Sequence, residues 1–228
     1  MSRRRLLGWA GELLVTAGAL LLLFAAWQLW WTDVVADRAQ EQTVATLEQD
    51  FAAAPPQQQT GDGVPAELES GEAFAIVRIP RFGSDYARPV LEGTGREVLT
   101  EGVGHYDGTA GPGEVGNFAM AGHRTTYGRP FHEIDTLELG DRVVVETSAE
   151  YSVYEVRESE IVPPTDVGVI GPVPGEPSAT ATEALVTLTS CHPMYSAAER
   201  FVVHGALVST VPRADWDPAQ WLSTPGGA

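Results

Sequence analysis

The chain has 228 residues, and its 31 acidic and 14 basic side chains give a formal net charge of −17. This balance argues against a nucleic-acid ligand, which requires a basic protein face, and it indicates a well-solvated surface. Hydrophobic residues make up 43% of the sequence, enough for one packed domain with accessory segments. Cys191 is the only cysteine, so an intramolecular disulfide is excluded and the thiol is either a buried apolar group or a functional one.

The N-terminus predicts a membrane anchor. Residues 1–12 include three consecutive arginines, and residues 13–31 have no charged side chain. As a helix this uncharged stretch spans roughly 28 Å, close to the thickness of the hydrocarbon core of a bilayer. The arginines before the span predict a cytoplasmic N-terminus, a single-pass anchor in the cell membrane and an extracellular domain. The alternative is a cleaved signal peptide with its cleavage site at residues 34–36, although the apolar run is longer than such peptides usually have.

Residues 32–72 predict a juxtamembrane helix followed by a flexible linker. Apolar residues recur at helical spacing between Asp33 and Phe51. Residues 52–72 are rich in proline, glutamine and glycine, a composition that does not bury a core. We therefore expect a domain held above the membrane on a stalk.

Residues 73–212 predict an all-β domain. Short segments rich in Val, Ile, Tyr and Thr alternate with turns that contain Gly, Pro and Asp, and only residues 96–104 suggest a short helix. Seven or eight strands in such a domain imply a closed barrel or a sandwich. Residues 213–228 predict a poorly ordered C-terminal tail. The predicted strands are Phe74–Ile79, Ala87–Leu91, Asn117–Gly122, Arg142–Glu146, Tyr151–Arg157, Ala184–Ser190 and Phe201–Val208.

Three of these strands carry reactive side chains at their ends. One apolar run delivers His123, another ends in Cys191, and a third begins with Arg200 nine residues later. Taken singly, these residues have ordinary interpretations as a hydrogen-bonded histidine, a buried thiol and an ion-paired arginine. Together they provide the nucleophile, the proton carrier and the fixed cation that acyl transfer requires.

Residues 187–191, with the sequence Thr-Leu-Thr-Ser-Cys, resemble the sortase signature Thr-Leu-x-Thr-Cys, with Ser190 in place of the second threonine. The order His, Cys, Arg also matches that family, and the resemblance covers residues 74–208. The segments at residues 123–128, His-Arg-Thr-Thr-Tyr-Gly, and 191–196, Cys-His-Pro-Met-Tyr-Ser, are similar to class E sortases of actinobacteria.

The resemblance implies a closed β-barrel of eight strands and a cysteine transpeptidase. Such an enzyme cleaves a C-terminal sorting signal of the Leu-Ala-x-Thr-Gly or Leu-Pro-x-Thr-Gly type between Thr and Gly. It then transfers the acyl group to an amine of a cell-wall precursor of the lipid II type, so surface proteins with sorting signals are the expected partners. No cofactor or metal is implied. The implied roles are nucleophile for Cys191, acid and base for His123, clamp of the oxyanion and substrate for Arg200, and substrate contact for Tyr127, Thr189 and Ser190.

Class E resemblance also implies a preference for alanine over proline in the sorting signal. Alanine has a backbone N–H that proline lacks, and the Tyr127 hydroxyl could accept a hydrogen bond from it. The alternative for Tyr127 is simple packing at the barrel mouth.

Two other functions stay open at this point. One is a cysteine hydrolase, although in papain-like families the cysteine precedes the histidine. The other is a non-catalytic cell-surface binding module with a buried Cys191. A metal site of Cys191, His192 and His204 is disfavoured because zinc-ligand spacing is absent.

Overall fold

A computed structural model describes residues 3–54, 68–176 and 178–222 of the chain. The first element is a helix, α1, at Arg3–Ala53. Within it, Gly8–Ala25 has a mean hydropathy of 1.7 and is wholly exposed, so this stretch is long and apolar enough to cross a membrane, as a signal sequence also is. Among the residues that the structure describes, this is the one helix of that kind, and it is consistent with a single-pass anchor. Most of the predicted linker, residues 55–67, lies outside the described residues.

Eight strands form a closed barrel, which confirms the predicted fold. Around the barrel they follow the order β1-β2-β3-β4-β7-β8-β6-β5. The β2–β3 and β4–β7 pairs are parallel and the others are antiparallel. The strands are β1 Ala73–Arg78, β2 Arg88–Glu92, β3 Val103–His105, β4 Gly116–Ala121, β5 Arg142–Glu146, β6 Glu150–Val162, β7 Ala184–His192 and β8 Glu199–Pro212.

The remaining helices are short and lie between or after the strands. They are α2 Arg96–Glu101, α3 Pro218–Trp221 and the 3-10 helices Pro80–Phe82, Ile134–Thr136, Val167–Ile170 and Arg213–Asp215. The helix predicted at residues 96–104 is therefore too long, because its last residues belong to β3. Gly104 explains the difference: a Cβ atom there would lie 2.3 Å from the carbonyl oxygen of Gly93, so this position suits close strand packing rather than a helix.

Every residue of β4 is buried, which explains why this strand is a continuous apolar run. Phe118 and Met120 belong to the main core cluster of the barrel. On the same strand, Asn117 donates a hydrogen bond of 2.9 Å from Nδ2 to the carbonyl oxygen of Gly171, in the loop after the 3-10 helix Val167–Ile170. The strand that leads to His123 is thus held between the core and a covering loop.

The juxtamembrane segment at residues 33–51 is helical, as predicted, and it packs against the barrel. Val44, Leu47 and Phe51 form a cluster with Ile76 of β1, and Glu48 forms an ion pair with Arg78. These apolar residues recur three and four positions apart and form a single helix face, which covers the outward-facing Ile76.

The start of the C-terminal tail is also packed, in contrast to the expected disorder. The Trp216 ring stacks on Tyr151 with a centroid separation of 3.8 Å, and Arg213 forms a 2.7 Å ion pair with the buried Glu146. An aromatic ring and a buried carboxylate give residues 213–222 specific partners that composition does not reveal. Residues 223–228 lie outside the described part of the chain.

Candidate active site

The parallel pairing of β4 with β7 brings the ends of two strands together. Ala121 is the register partner of Thr189, and the Gly122 N–H donates a 3.1 Å hydrogen bond to the Thr189 carbonyl oxygen. His123 and Cys191 each follow two residues after the Ala121–Thr189 pair. The register therefore brings these two residues to neighbouring positions at the same end of the barrel.

Arg200 is the direct cross-strand partner of Cys191 in the antiparallel pairing of β7 with β8. Residues directly opposite each other in such a pair have Cβ atoms about 4.5–5.5 Å apart and share one face of the sheet. The Arg200 guanidinium donates hydrogen bonds to the carbonyl oxygens of Ala197 (3.1 Å) and Glu199 (2.9 Å), which restrain it at the strand end. The three residues predicted to be catalytic thus lie together at one end of the barrel.

The imidazole of His123 lies in an environment that favours its neutral form. Its Nε2 atom is buried and has no hydrogen-bond partner among the described residues. Burial lowers the pKa of His123, and the positive charge of Arg96 lowers it further. A neutral imidazole with an unpaired ring nitrogen can accept a proton from a nearby thiol.

Tyr127 lies beside His123, with the two ring centroids 5.2 Å apart. Tyr127 also lines a cavity of about 340 Å³ together with residues of α1 and with Thr100 of α2. Tyr127 is thus close enough to the histidine to border a bound substrate. The lining residues of the cavity are Trp31, Thr32, Val35, Ala36, Ala39, Thr100 and Tyr127.

Thr189 and Ser190 are buried, and their hydroxyl groups are bonded inside the protein. Ser190 Oγ donates to the Gly122 carbonyl oxygen at 2.8 Å. Thr189 Oγ1 donates to the Met120 carbonyl oxygen at 3.2 Å and lies 3.0 Å from the hydroxyl of Tyr106. Both hydroxyls form hydrogen bonds between β7 and the β4 segment next to the predicted catalytic residues. Their contact with a substrate stays a prediction.

Comparison with known proteins gives the family. Residues 77–208, more than half of the chain, match the Sortase domain. The chain belongs to the sortase family. Sortase SrtE1 of Streptomyces coelicolor is 39% identical over 223 residues, which cover 93% of this chain and 60% of that protein. Sortase SrtE2 of the same organism is 36% identical over 213 residues, which cover 88% of this chain and 81% of that protein.

A solved sortase structure has the same fold as this chain. Sortase E from Streptomyces avermitilis is 42% identical and superposes with a TM-score of 0.60 over 66% of this chain and 97% of that one. These similarities confirm the assignment to class E. Sortases are cysteine transpeptidases.

Arg124 is a residue of this sortase that the sequence analysis did not single out. It is buried, and its Nη1 donates to the carbonyl oxygen of Cys191 (3.3 Å) and to Nδ1 of His192 (3.0 Å). Because an arginine side chain has no acceptor atom, Nδ1 of His192 must be the acceptor of this hydrogen bond. An ion pair with Asp135 holds the guanidinium from the other side. The only signal in the sequence is the position of an arginine directly after His123.

The sortase offers no evident metal site in the three stretches of chain that the structure describes. They contain no group of three or more His, Cys, Asp or Glu side chains that could hold a metal ion. His204, considered above as a ligand, has Nδ1 2.9 Å from the Thr187 hydroxyl and Nε2 3.2 Å from Glu160. Both of its ring nitrogens therefore have partners within the barrel.

Proposed function

We propose that this sortase is a membrane-anchored cysteine transpeptidase that cleaves a C-terminal sorting signal between Thr and Gly. It transfers the acyl group to an amine of a cell-wall precursor. The observation that carries this proposal is the strand register, which sets His123 and Arg200 on the two sides of Cys191. The chain spans 60% of the length of the SrtE1 relative, so substrate and acceptor are proposals for this chain and are not taken from that protein.

In the first step the sulfur of Cys191 attacks the carbonyl carbon of the substrate threonine. The neutral His123 takes the thiol proton, a C–S bond forms, and negative charge develops on the carbonyl oxygen. The guanidinium of Arg200 stabilises that oxyanion. His123 then gives its proton to the glycine nitrogen as the C–N bond breaks, which leaves a thioester on Cys191 and releases the fragment that begins with glycine.

In the second step an amine attacks the carbonyl carbon of the thioester. The amine loses a proton to His123, a new C–N bond forms, and the C–S bond breaks. The departing sulfur recovers the proton from His123, so the enzyme returns to its starting state. Water in place of the amine would give hydrolysis, which makes the choice of acceptor the point that separates a transpeptidase from a hydrolase.

We also propose that the N-terminus lies in the cytoplasm and that the barrel is extracellular. The support is the sequence of three arginines before an exposed apolar helix. Surface proteins with sorting signals would then meet the enzyme on the outer face of the membrane.

The central test is direct detection of the acyl-enzyme. The full chain in detergent micelles is mixed with a Leu-Ala-x-Thr-Gly peptide, and the mass of the intact protein is measured. We expect the wild type to gain the mass of the acyl fragment and Cys191→Ala to gain none.

Peptide turnover tests the other two residues. Turnover should be lower by several orders of magnitude in His123→Ala. Arg200→Lys should also turn over the peptide poorly, because an ammonium group does not reproduce the planar guanidinium. Arg157→Lys, an exposed position that pairs with Glu183, is the matched control. Normal turnover in Cys191→Ala would end the proposal.

A further inference from the structure

The juxtamembrane half of α1 (residues 33–53) touches the loop that carries the catalytic histidine, here the His123 loop (residues 123–131). Gln40 is completely buried, and its Nε2 donates a 2.9 Å hydrogen bond to the Tyr127 carbonyl oxygen. Gly128 also lies against the helix: a Cβ atom there would lie 3.0 Å from Gln40 Nε2 and 3.1 Å from Asp37 Oδ1. Helix and loop are therefore in direct contact.

Tyr127 has a backbone conformation that its surroundings must maintain. Its φ angle is 53°, in the left-handed region, which costs roughly 1–2 kcal/mol for a residue other than glycine. In this conformation its ring lies 5.2 Å from the His123 ring. A hydrogen bond from Gln40 to the carbonyl of the same residue favours the conformation that places the ring there.

Two ion pairs flank this hydrogen bond. Asp37 pairs with Arg88 at 2.9 Å, and Asp33 lies 3.5 Å from Arg129. Burial raises the pKa of Asp37 and outweighs the opposing effect of Arg88. Desolvation therefore offsets much of the stabilisation that the Asp37–Arg88 ion pair provides. The hydrogen bond from Gln40 involves no charged group, although Gln40 Oε1 is buried without a partner among the described residues.

The same helix also lines two cavities next to the His123 loop. One is the cavity of about 340 Å³ that Tyr127 lines. Thr32 and Asp33 line the second, of about 290 Å³, together with Thr125 of the His123 loop and Tyr195 of the loop after Cys191. A peptide entering either cavity would contact the membrane anchor as well as the barrel.

We infer that the juxtamembrane half of α1 is one wall of the active site and that Gln40 is a positioning residue, which sets Tyr127 against His123. This inference rests on the proposed function and extends the site beyond the barrel. The helix then has two roles, since it anchors the enzyme and also holds the loop that determines which sorting signal fits.

The test uses Gln40→Met in the full chain in detergent micelles. Methionine keeps the length and the apolar packing but removes the donor to Tyr127. We expect kcat/KM for the Leu-Ala-x-Thr-Gly peptide to fall roughly tenfold, the typical effect of one lost hydrogen bond. The ratio of activities on the alanine and proline peptides should fall by a similar factor. Gln42→Met is the matched control, because Gln42 is exposed on the same helix. A variant that is merely less stable would lose activity on both peptides alike.

Hydrogen–deuterium exchange provides a readout that is independent of activity. Exchange across residues 123–131 should become faster in Gln40→Met, while β5 stays protected. If the wild type forms no acyl-enzyme, the proposed function fails, yet faster exchange in this loop would still support the role of Gln40. Unchanged peptide preference together with unchanged exchange would overturn the inference. Gln40→Leu is the second variant, and global unfolding of both variants would also overturn it, because Gln40 would then be a folding residue rather than a positioning one.

Discussion

At the scale of single residues, the proposed active site combines a neutral imidazole with a thiol and a guanidinium at one end of the barrel. Burial of His123 and the nearby Arg96 both favour the uncharged ring. Arg124 donates a hydrogen bond to the backbone carbonyl oxygen of Cys191. Ser190 donates one to the carbonyl oxygen of Gly122, the residue directly before His123. The reacting groups are therefore held through their backbones, which leaves the thiol and the ring nitrogen available for chemistry.

The pH dependence of the reaction should reveal the influence of Arg96. Because the pKa of His123 is lowered, activity should be retained below the ordinary histidine range, and the acid limb of the kcat/KM profile should lie below pH ~6.5. Arg96→Gln removes the second cause of the shift, so the pKa should rise and the acid limb should move to higher pH. Because Arg96 is exposed, added salt should reduce the difference between the two profiles. Arg157→Gln, an exposed arginine in an ion pair with Glu183, is the control, and identical profiles for Arg96→Gln and wild type would contradict this assignment.

Replacement of Tyr127 by phenylalanine tests the proposed preference for alanine over proline. The variant keeps the ring next to His123 and removes only the hydroxyl group. If that hydroxyl accepts the alanine N–H, its loss should reduce the alanine preference by about tenfold to a hundredfold, or about 1–3 kcal/mol. The measurement is kcat/KM for both peptides with both enzymes. A preference that persists unchanged in Tyr127→Phe would mean that the shape of the site selects the peptide.

At the scale of elements, the parallel β4–β7 pair is the frame on which the site is built. The loop after β4 begins at Gly122 and closes with a 3.0 Å hydrogen bond from the Phe131 N–H to the His123 carbonyl oxygen. Phe131 is fully buried in the main core, so it fixes the far end of the loop. The position of His123 thus depends on strand register at one end and on core packing at the other.

Gly122→Ala should disturb this frame. An added Cβ atom would lie 2.6 Å from Phe131 Cδ2, and this ring is fully buried in the core. We expect a loss of stability of about 1–3 kcal/mol, measured by denaturant unfolding, and a larger loss of kcat than of peptide binding. Gly95→Ala is the control, because nothing lies within 4 Å of an added Cβ atom there. Unchanged activity and stability in Gly122→Ala would show that the loop tolerates a shift.

At the scale of the whole molecule, the proposed membrane span and the segment that packs on the barrel belong to one continuous helix, α1. The uncharged stretch ends at Trp31, and Gln40 follows nine residues later in the same helix, a rise of about 14 Å. Because the second half of α1 is packed on the barrel, we expect the proposed anchor to fix the height of the proposed active site above the bilayer. A free-standing stalk would leave that height undefined.

The proposed topology predicts how protease acts on intact protoplasts. Protease added outside should remove the barrel from the cell surface, and the anchored fragment should stay with the membrane fraction. Detection uses an antibody against residues of the barrel. Protection of the barrel, or a mature N-terminus near Asp37, would contradict an uncleaved anchor with its N-terminus inside.

Insertion of helical residues tests whether α1 fixes the height of the site. Seven helix-forming residues placed after Trp31 add two turns and should raise the barrel by about 10 Å with little rotation. The same seven residues placed between Ala54 and Leu68 should not change the height, because they follow the packed helix. The distance is measured by energy transfer from a dye at Thr210→Cys, in a Cys191→Ala background, to labelled lipid headgroups. Equal distances for the two insertions would show that α1 is not the spacer.

Several features of this sortase follow from local sequence patterns alone. Residue type and spacing are enough to recognise the apolar run after three arginines and the short β segments between turns. They also single out Cys191, His123 and Arg200 as candidate catalytic residues. The closed barrel also followed from the family resemblance carried by residues 187–191. These features are local or motif-based, so neighbouring residues in the chain contain the information.

Only the tertiary structure decided how these segments meet. Helical spacing at residues 33–51 predicts an amphipathic helix, but the partner of its apolar face, Ile76 of β1, cannot be read from the helix itself. Gln40 and Tyr127 are 87 positions apart, and Arg124 and Cys191 are 67 positions apart, yet each pair is joined by a hydrogen bond. Contacts over such separations arise from strand order and register, because a closed barrel brings together residues that the sequence keeps far apart.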